Sequence, residues 1–228
     1  PKGRPLTKDR GRGIRSYFWA EDGKSVIYVQ DKDGDENWHL YLVDTGTGEV
    51  SDLTPFPGVH AQILATEPNF PDEILAAINV RDKRLYDVYR IRLSTGQADV
   101  IAENPGDVVG WLADRAFGVR ACKAMLPNGS TELRVRSVEG SPWRSLMIWG
   151  PDDTGGAHGF TPSGAGLYVE SSLGSDTTRL LEIDIAGGEE KPIFNHPDSD
   201  VGAVVLHPTN YHLQAVGAEV DRLSWTVI

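Results

Sequence analysis

The sequence predicts an all-β fold, a β-propeller of about five four-stranded blades, from three observations. Strand-like segments recur every 45 to 49 residues, glycine turns recur in phase with them, and no window keeps an apolar face at helical spacing. The chain also contains 25 glycines and 14 prolines among its 228 residues. Such a composition is typical of many short strands joined by tight turns.

Two independent sets of positions define the repeat. The ends of the first strands are separated by 47, 45, 49 and 46 residues, at Trp19, Thr66, Trp111, Phe160 and Leu206. The last glycines of the tight turns follow at steps of 48, 44 and 48, at Gly48, Gly96, Gly140 and Gly188. Because both sets keep the same phase, each period corresponds to one supersecondary unit.

The first unit shows the pattern most clearly. Its segments are rich in β-branched and aromatic residues and are bounded by Gly and Asp turns. The predicted strands are Arg15–Trp19, Ser25–Asp31, His39–Asp44 and Val50–Leu53. Alternation is incomplete in the second of these, as expected for a strand that is covered on both faces.

The later units repeat this order. The second is predicted to contain Ala61–Ala65, Ile74–Val80, Tyr86–Leu93 and Asp99–Ala102. The third contains Val108–Leu112, Phe117–Lys123, Glu132–Ser137 and Ser145–Trp149. The fourth contains Gly159–Thr161, Gly166–Ser171, Arg179–Ile185 and Lys191–Phe194. The fifth contains only Gly202–Leu206, Tyr211–Val216 and Leu223–Ile228.

Residues 1–228 are therefore interpreted as one propeller domain or fragment, with units at approximately 13–56, 60–104, 107–150, 158–197 and 201–228. Residues 4–7 resemble Ser51–Thr54 one period later, which predicts an outer strand at 4–7. Two alternatives follow. Either that strand completes the fifth unit and closes a five-bladed ring, or the chain is part of a larger propeller. The absence of an initiator Met favours excision from a longer protein, and both alternatives are compatible with it.

Charge and composition exclude several classes of partner. The net charge of −11 argues against nucleic acid, and no segment is long and apolar enough to span a membrane. No apolar signal core is present, so we expect a cytoplasmic location, with the periplasm as the alternative. The lone Cys122 lies in an apolar stretch and is predicted to be a buried side chain.

Catalytic patterns are absent from the sequence. It contains no Gly-x-Ser-x-Gly, no His-Glu-x-x-His and no Cys/His zinc pattern. Serines that follow a glycine, Ser130, Ser141 and Ser175, fall in predicted hairpin turns. We therefore predict no catalytic residue and no cofactor in this chain.

The densest polar feature is the segment Asp31-Lys-Asp-Gly-Asp-Glu-Asn37 between the second and third predicted strands. Asp31, Asp33 and Asp35 are candidate calcium ligands, because calcium takes carboxylate oxygens. The alternative is an acidic hairpin that caps its own turn. In a domain that partners an enzyme, Asp35 and Glu36 could instead contact the amino terminus of a peptide.

Four motifs together resemble the propeller region of prolyl oligopeptidase family serine peptidases, in the acylaminoacyl-peptidase-like and dipeptidyl-aminopeptidase-like branch. They are Gly13-Ile-Arg-Ser-Tyr-Phe-Trp19, Asp22-Gly-Lys24, Gly34-Asp-Glu-Asn-Trp-His-Leu-Tyr41 and Asp52-Leu-Thr-Pro-Phe56. The resemblance is specific over about residues 13–65, and beyond them only the blade period persists. TolB-like propellers share the Asp-Gly-Lys turn.

The resemblance implies a parent enzyme. In that family a propeller precedes an α/β-hydrolase domain that holds the catalytic Ser, Asp and His, and it admits short peptides while excluding folded proteins. The implied partners are a hydrolase domain in cis and the parent's peptide substrate, and no catalytic position can be assigned in this chain. The alternative is a stand-alone TolB-like propeller that acts as a scaffold for protein contacts.

Overall fold

The computed structural model describes residues 3–8, 11 and 13–228, which form strands, turns and loops without a helix. These residues contain nineteen strands in five antiparallel sheets. Within each sheet the strands follow one another in chain order, as they do in a propeller blade. The predicted all-β fold, with five blades of a β-propeller, is confirmed. No described residue belongs to a helix long and apolar enough to cross a membrane.

The chain divides into two compact units, and the first is Pro1–Gly106. Its first sheet contains β1 (Ser16–Trp19), β2 (Ser25–Gln30), β3 (His39–Asp44) and β4 (Val50–Asp52). Its second sheet contains β5 (Ala61–Ala65), β6 (Glu73–Asp82), β7 (Leu85–Arg92) and β8 (Ala98–Ala102).

The second unit is Asp107–Ile228. The third sheet contains β9 (Val108–Ala113), β10 (Val119–Met125), β11 (Thr131–Val135) and β12 (Arg144–Trp149). The fourth contains β13 (Gly155–Phe160), β14 (Gly166–Ser171), β15 (Arg179–Asp184) and β16 (Glu190–Phe194). The fifth has three strands, β17 (Val201–Leu206), β18 (Leu213–Glu219) and β19 (Leu223–Val227).

Each unit buries apolar side chains from more than one sheet in a shared core. In the first unit, Ile27 and Leu40 of the first sheet lie in one fully buried cluster with Ile74, Ile78 and Ile91 of the second. Strand β6 carries six consecutive buried residues because both of its faces are covered. This burial explains why the central strands lack strict alternation of apolar and polar residues.

Two of the tight turns that mark the repeat share one hydrogen-bonding scheme. After β3, the Asp44 carboxylate accepts the backbone N–H groups of Gly46 at 2.8 Å and Thr47 at 2.7 Å. Gly48 then takes a φ of +76°, which favours glycine. After β15, Asp184 accepts the N–H of Gly187 in the same way, and Gly188 has a φ of +74°. The turn glycines therefore recur because the backbone conformation requires them.

The predicted strand at residues 4–7 is wrong. These residues form no strand, and the fifth sheet has three strands. Leu6 instead packs against the small core of Val26, Tyr28 and Val43 in the first sheet, and Arg4 donates to the carbonyl of Thr45. Pro5 carries no N–H for a β-ladder, so the segment follows the apolar surface that is nearest to it.

Strand β13 begins four residues earlier than the sequence predicts. Strand β13 starts at Gly155, whereas the prediction placed its start at Gly159. Glycines are poor strand formers, which concealed the start of this strand. The indole of Trp149 is fully buried, and its Nε1 donates to Ser171 Oγ at 2.9 Å. A Cβ at position 155 would lie 2.0 Å from Trp149 Cε2, so the indole requires glycine there.

We predict that Gly155→Ala lowers the free energy of unfolding by about 3 kcal/mol, the upper part of the range for overpacked cores. The neighbouring Gly156 is the matched control, because a Cβ added at that position would have nothing within 4 Å. We expect Gly156→Ala to change stability by no more than about 0.5 kcal/mol. Urea unfolding followed by circular dichroism measures both, and equal effects of the two variants would contradict this account of the indole.

Candidate functional site

The acidic loop at residues 31–37 joins β2 to β3 and has an unusual backbone. Asp33, Gly34 and Glu36 have φ angles of 56°, 85° and 59°. Positive φ is uncommon for residues other than glycine and costs free energy, although Asp tolerates it better than most. The loop therefore has a specific conformation that its own hydrogen bonds must hold.

Asp35 is the hydrogen-bonding centre of the acidic loop. One carboxylate oxygen accepts the backbone N–H of Asn37 at 3.0 Å and that of Lys32 at 3.3 Å. The other accepts the side-chain amide of Asn37 at 2.9 Å. These bonds, above all that of the Asn37 side chain, lower the pKa of Asp35 below its ordinary value. The carboxylate is exposed and ionised at neutral pH.

Two of the three candidate calcium ligands, Asp31 and Asp35, accept hydrogen bonds from the loop itself. Asp31 is buried at the end of β2, where its Oδ2 accepts the backbone N–H of Glu36 at 3.2 Å, whereas Asp33 is exposed at the loop's surface. No group of three or more His, Cys, Asp or Glu side chains suited to a metal ion occurs among the residues that the structure describes. The geometry therefore supports an acidic hairpin that caps its own turn.

The two residues predicted to contact a peptide differ in how their side chains are engaged. Both Asp35 and Glu36 are exposed, but the oxygens of Asp35 already accept bonds from Asn37. The Glu36 carboxylate forms no hydrogen bond or ion pair with any described residue. Glu36 is thus the better placed of the two to receive a cation such as a peptide's amino group.

A pocket that the sequence reasoning missed lies where β1, β3 and β5 begin. It has a volume of about 420 Å³ and is lined by residues that include Arg15, Trp38 and His60. Trp38 directly follows the acidic loop, so the loop and the pocket are neighbours in the chain. Arg15 and Trp38 both fall in the motifs quoted above, but nothing in their spacing indicates that a third residue, His60, joins them.

The described residues include two imidazole–carboxylate pairs. His39 Nδ1 lies 2.9 Å from Asp52 Oδ2, and His158 Nε2 lies 2.8 Å from Glu170 Oε2. Neither imidazole contacts a hydroxyl or thiol group among the described residues. Cys122 is buried as predicted, and burial raises the pKa of its thiol to about 12. At neutral pH the thiol is therefore protonated, a state that is a poor nucleophile.

Comparisons with known proteins relate the chain to peptidases. No protein-family model matches it. Dipeptidyl aminopeptidase BIII from Pseudoxanthomonas mexicana is 32% identical over 232 residues, which cover 99% of this chain and 33% of the relative. A prolyl endopeptidase structure superposes with a TM-score of 0.64 at 17% identity, over 93% of this chain and 33% of the other. The chain is thus homologous to about a third of a dipeptidyl aminopeptidase.

This homology confirms the resemblance that the four motifs predicted. The chain spans about a third of the length of the curated relatives it matches. TolB from Acinetobacter baumannii shares the fold with a TM-score of 0.63 and 17% identity, over 91% of this chain and 50% of TolB. The fold is thus shared with both groups, while the stronger sequence similarity is to a peptidase.

We predict that NMR titration of this 228-residue chain gives Asp35 a pKa below the ordinary value of 3.8. Asn37→Ala removes the main donor and raises this pKa towards 3.8, whereas Asn69→Ala, at an amide that donates to Glu67 instead, leaves it unchanged. The folded pKa is depressed, so this carboxylate stabilises the fold above the unfolded pKa, and the contribution is lost as pH falls through the folded pKa. An Asp35 pKa that does not respond to Asn37→Ala would contradict this description of the loop.

Proposed function

We propose that this chain is the non-catalytic propeller of a prolyl-oligopeptidase-type serine peptidase, which gates the access of peptides and docks on an α/β-hydrolase domain. The observation that carries the proposal is the alignment itself. It covers 99% of this chain but only 33% of a dipeptidyl aminopeptidase, at 32% identity. Two thirds of such a relative therefore lie outside the region that this chain matches.

The chemistry of the described residues supports an auxiliary role rather than a catalytic one. The buried thiol has a raised pKa, and the two imidazole–carboxylate pairs have no nucleophile beside them among those residues. A serine peptidase needs a hydroxyl, a base and an oxyanion hole in one place. In this proposal the hydrolase domain supplies all three, and the propeller determines which molecules reach them.

Gating follows from the rigidity of the sheets. Apolar cores shared between sheets resist local opening, because opening would expose many buried side chains at once. A short extended peptide could pass beside such sheets, whereas a folded protein would have to unfold first. In this proposal the exposed acidic loop meets the amino terminus of the peptide, with Glu36 as the main contact and Asp35 beside it.

A second candidate function is a stand-alone TolB-like scaffold for protein contacts. The observation in its favour is the superposition on TolB, with a TM-score of 0.63, which is close to the 0.64 of the prolyl endopeptidase. The peptidase proposal is preferred because the sequence identity is 32% to a dipeptidyl aminopeptidase and 17% to TolB.

We predict that a fluorophosphonate probe labels the complete gene product to which this chain belongs, at a serine outside residues 1–228. Tandem mass spectrometry of the labelled peptide locates that serine. The 228-residue chain alone serves as the control and is expected to stay unlabelled. A complete gene product without a labelled serine would favour the scaffold and reject the peptidase proposal.

We also predict that Glu36→Gln raises the KM of the complete enzyme for peptides with a free amino terminus by about fivefold, the equivalent of about 1 kcal/mol for an exposed ion pair. Acetylated peptides carry no terminal charge and should show no change. The matched variant Glu190→Gln removes an exposed carboxylate from β16. It is expected to leave the KM unaltered both for peptides with a free amino terminus and for acetylated peptides. The same KM change for free and acetylated peptides would show that Glu36 does not bind the amino group.

A further inference from the structure

The pocket where β1, β3 and β5 begin is built around one cation. The guanidinium of Arg15 lies over the indole of Trp38, with its Cζ 4.7 Å from the ring centroid. This distance is within the range of a cation–π interaction, which holds the planar guanidinium in place. The backbone N–H of Arg15 donates to the carbonyl of Val29 at 2.9 Å, so the sheet fixes the base of the side chain as well.

Arg15 has no acidic partner in the part of the chain that the structure describes. Its guanidinium forms no ion pair with a described carboxylate, although the chain has a net charge of −11. By contrast, Arg81, Arg90, Arg120 and Arg134 all pair with carboxylates. The donors of Arg15 are therefore available on the pocket wall, and a guanidinium fork matches a carboxylate in geometry and charge.

His60 adds no second charge at neutral pH. Burial lowers the pKa of its imidazole, and the nearby charge of Arg15 lowers it further. Its ring stands edge-on to Tyr86 with the centroids 5.8 Å apart, and its Nδ1 is buried without a hydrogen-bond partner among the described residues. The imidazole is thus neutral, and Arg15 gives the pocket a single positive charge.

The rest of the lining combines polar and apolar groups. Ser16 and Gln62 are exposed at the pocket, and the Gln62 amide makes no hydrogen bond to another described side chain. Phe18, Val29 and Ile63 are partly buried apolar residues on the same lining. A single cation beside an apolar wall suits a ligand that has one negative charge and an apolar group next to it.

We propose that this pocket binds a peptide carboxylate, with Arg15 as the ion-pair partner and the apolar wall receiving an adjacent aliphatic or aromatic side chain. The proposal rests on the proposed function, because it makes the pocket a second peptide contact beside the acidic loop. The carboxylate comes from the carboxyl terminus of the peptide or from an Asp or Glu side chain. Both sources present the same planar, singly charged group to the guanidinium.

The pocket is less suited to a phosphate or a nucleotide. A phosphate group at neutral pH carries more charge than one guanidinium neutralises, and such sites usually combine several cations. One face of the Trp38 ring is already covered by Arg15, so that face cannot stack on a base. The strongly negative chain would also repel a polyanion.

The test is calorimetric titration of the 228-residue chain with an acetylated tetrapeptide that ends in leucine. Its free acid is expected to bind with a Kd in the range of about 0.1 to 1 mM, and its amide about tenfold more weakly, for the loss of one charge-assisted bond. A third peptide, an amide with glutamate before the leucine, distinguishes the two sources. If this peptide binds like the acid, the pocket accepts side-chain carboxylates, and if it binds like the amide, the pocket is specific for the terminal carboxylate.

Arg15→Gln is expected to remove the preference for the free acid. Arg144→Gln is the matched control, because Arg144 is exposed on β12 in the other unit and also forms no ion pair with a described carboxylate. It should bind both peptides as the unchanged chain does, and thermal unfolding of each variant verifies that it is folded. Equal binding of acid and amide by the unchanged chain, or a loss of preference in both variants, would overturn the proposal.

The outcome is separable from that of the proposed function. The peptides are acetylated and the titration uses this chain alone, so neither the acidic loop's amino-group contact nor a hydrolase domain contributes. A negative titration would reject the carboxylate pocket and leave a labelled serine in the complete gene product unaffected. A missing serine would reject the peptidase without altering the titration.

Discussion

A β-sheet that is apolar on both faces needs cover on each face, and this constraint governs the parts of the chain that the structure describes. One sheet cannot bury strands such as β6, in which six consecutive residues are inaccessible. Sheets therefore share cores, as the first two do through Ile27, Ile74 and Ile91. Repetition of one four-stranded unit is the simplest way to provide such partners, and it explains the constant period of the sequence.

The same constraint positions the candidate site. The hairpin between β2 and β3 leaves the sheet at the end where β1 begins, because antiparallel strands alternate in direction. Arg15 and Trp38 meet at this end, and β5 of the next sheet brings His60 to the same pocket. The buried cores hold the backbone, so the polar groups at the sheet end are free to serve binding rather than stability.

The sequence was informative where local chemistry determines structure, and less so elsewhere. Turn glycines such as Gly48 and Gly188 reveal the repeat because a positive φ requires them. The start of β13 at Gly155 was missed because the reason for glycine there is the distant indole of Trp149. A strand was predicted at residues 4–7 because they resemble Ser51–Thr54, but Leu6 packs against the first sheet instead. Similarly, the acidic loop could be recognised because its acidic residues are adjacent in the sequence. The pocket could not, because it depends on contacts between three separate segments.

The proposed function assigns two roles to two domains. The rigid sheets of this chain select the substrate, and a domain outside this chain carries out the catalysis. The most direct test of this selection uses the complete gene product and one cleavable sequence in two forms, a short free peptide and the same residues held within a stably folded domain. Cleavage rates are followed by mass spectrometry, with a stand-alone peptidase that lacks a propeller as the reference. Selection by the propeller predicts rapid cleavage of the free peptide and none of the folded form. Equal rates for the two forms would contradict it.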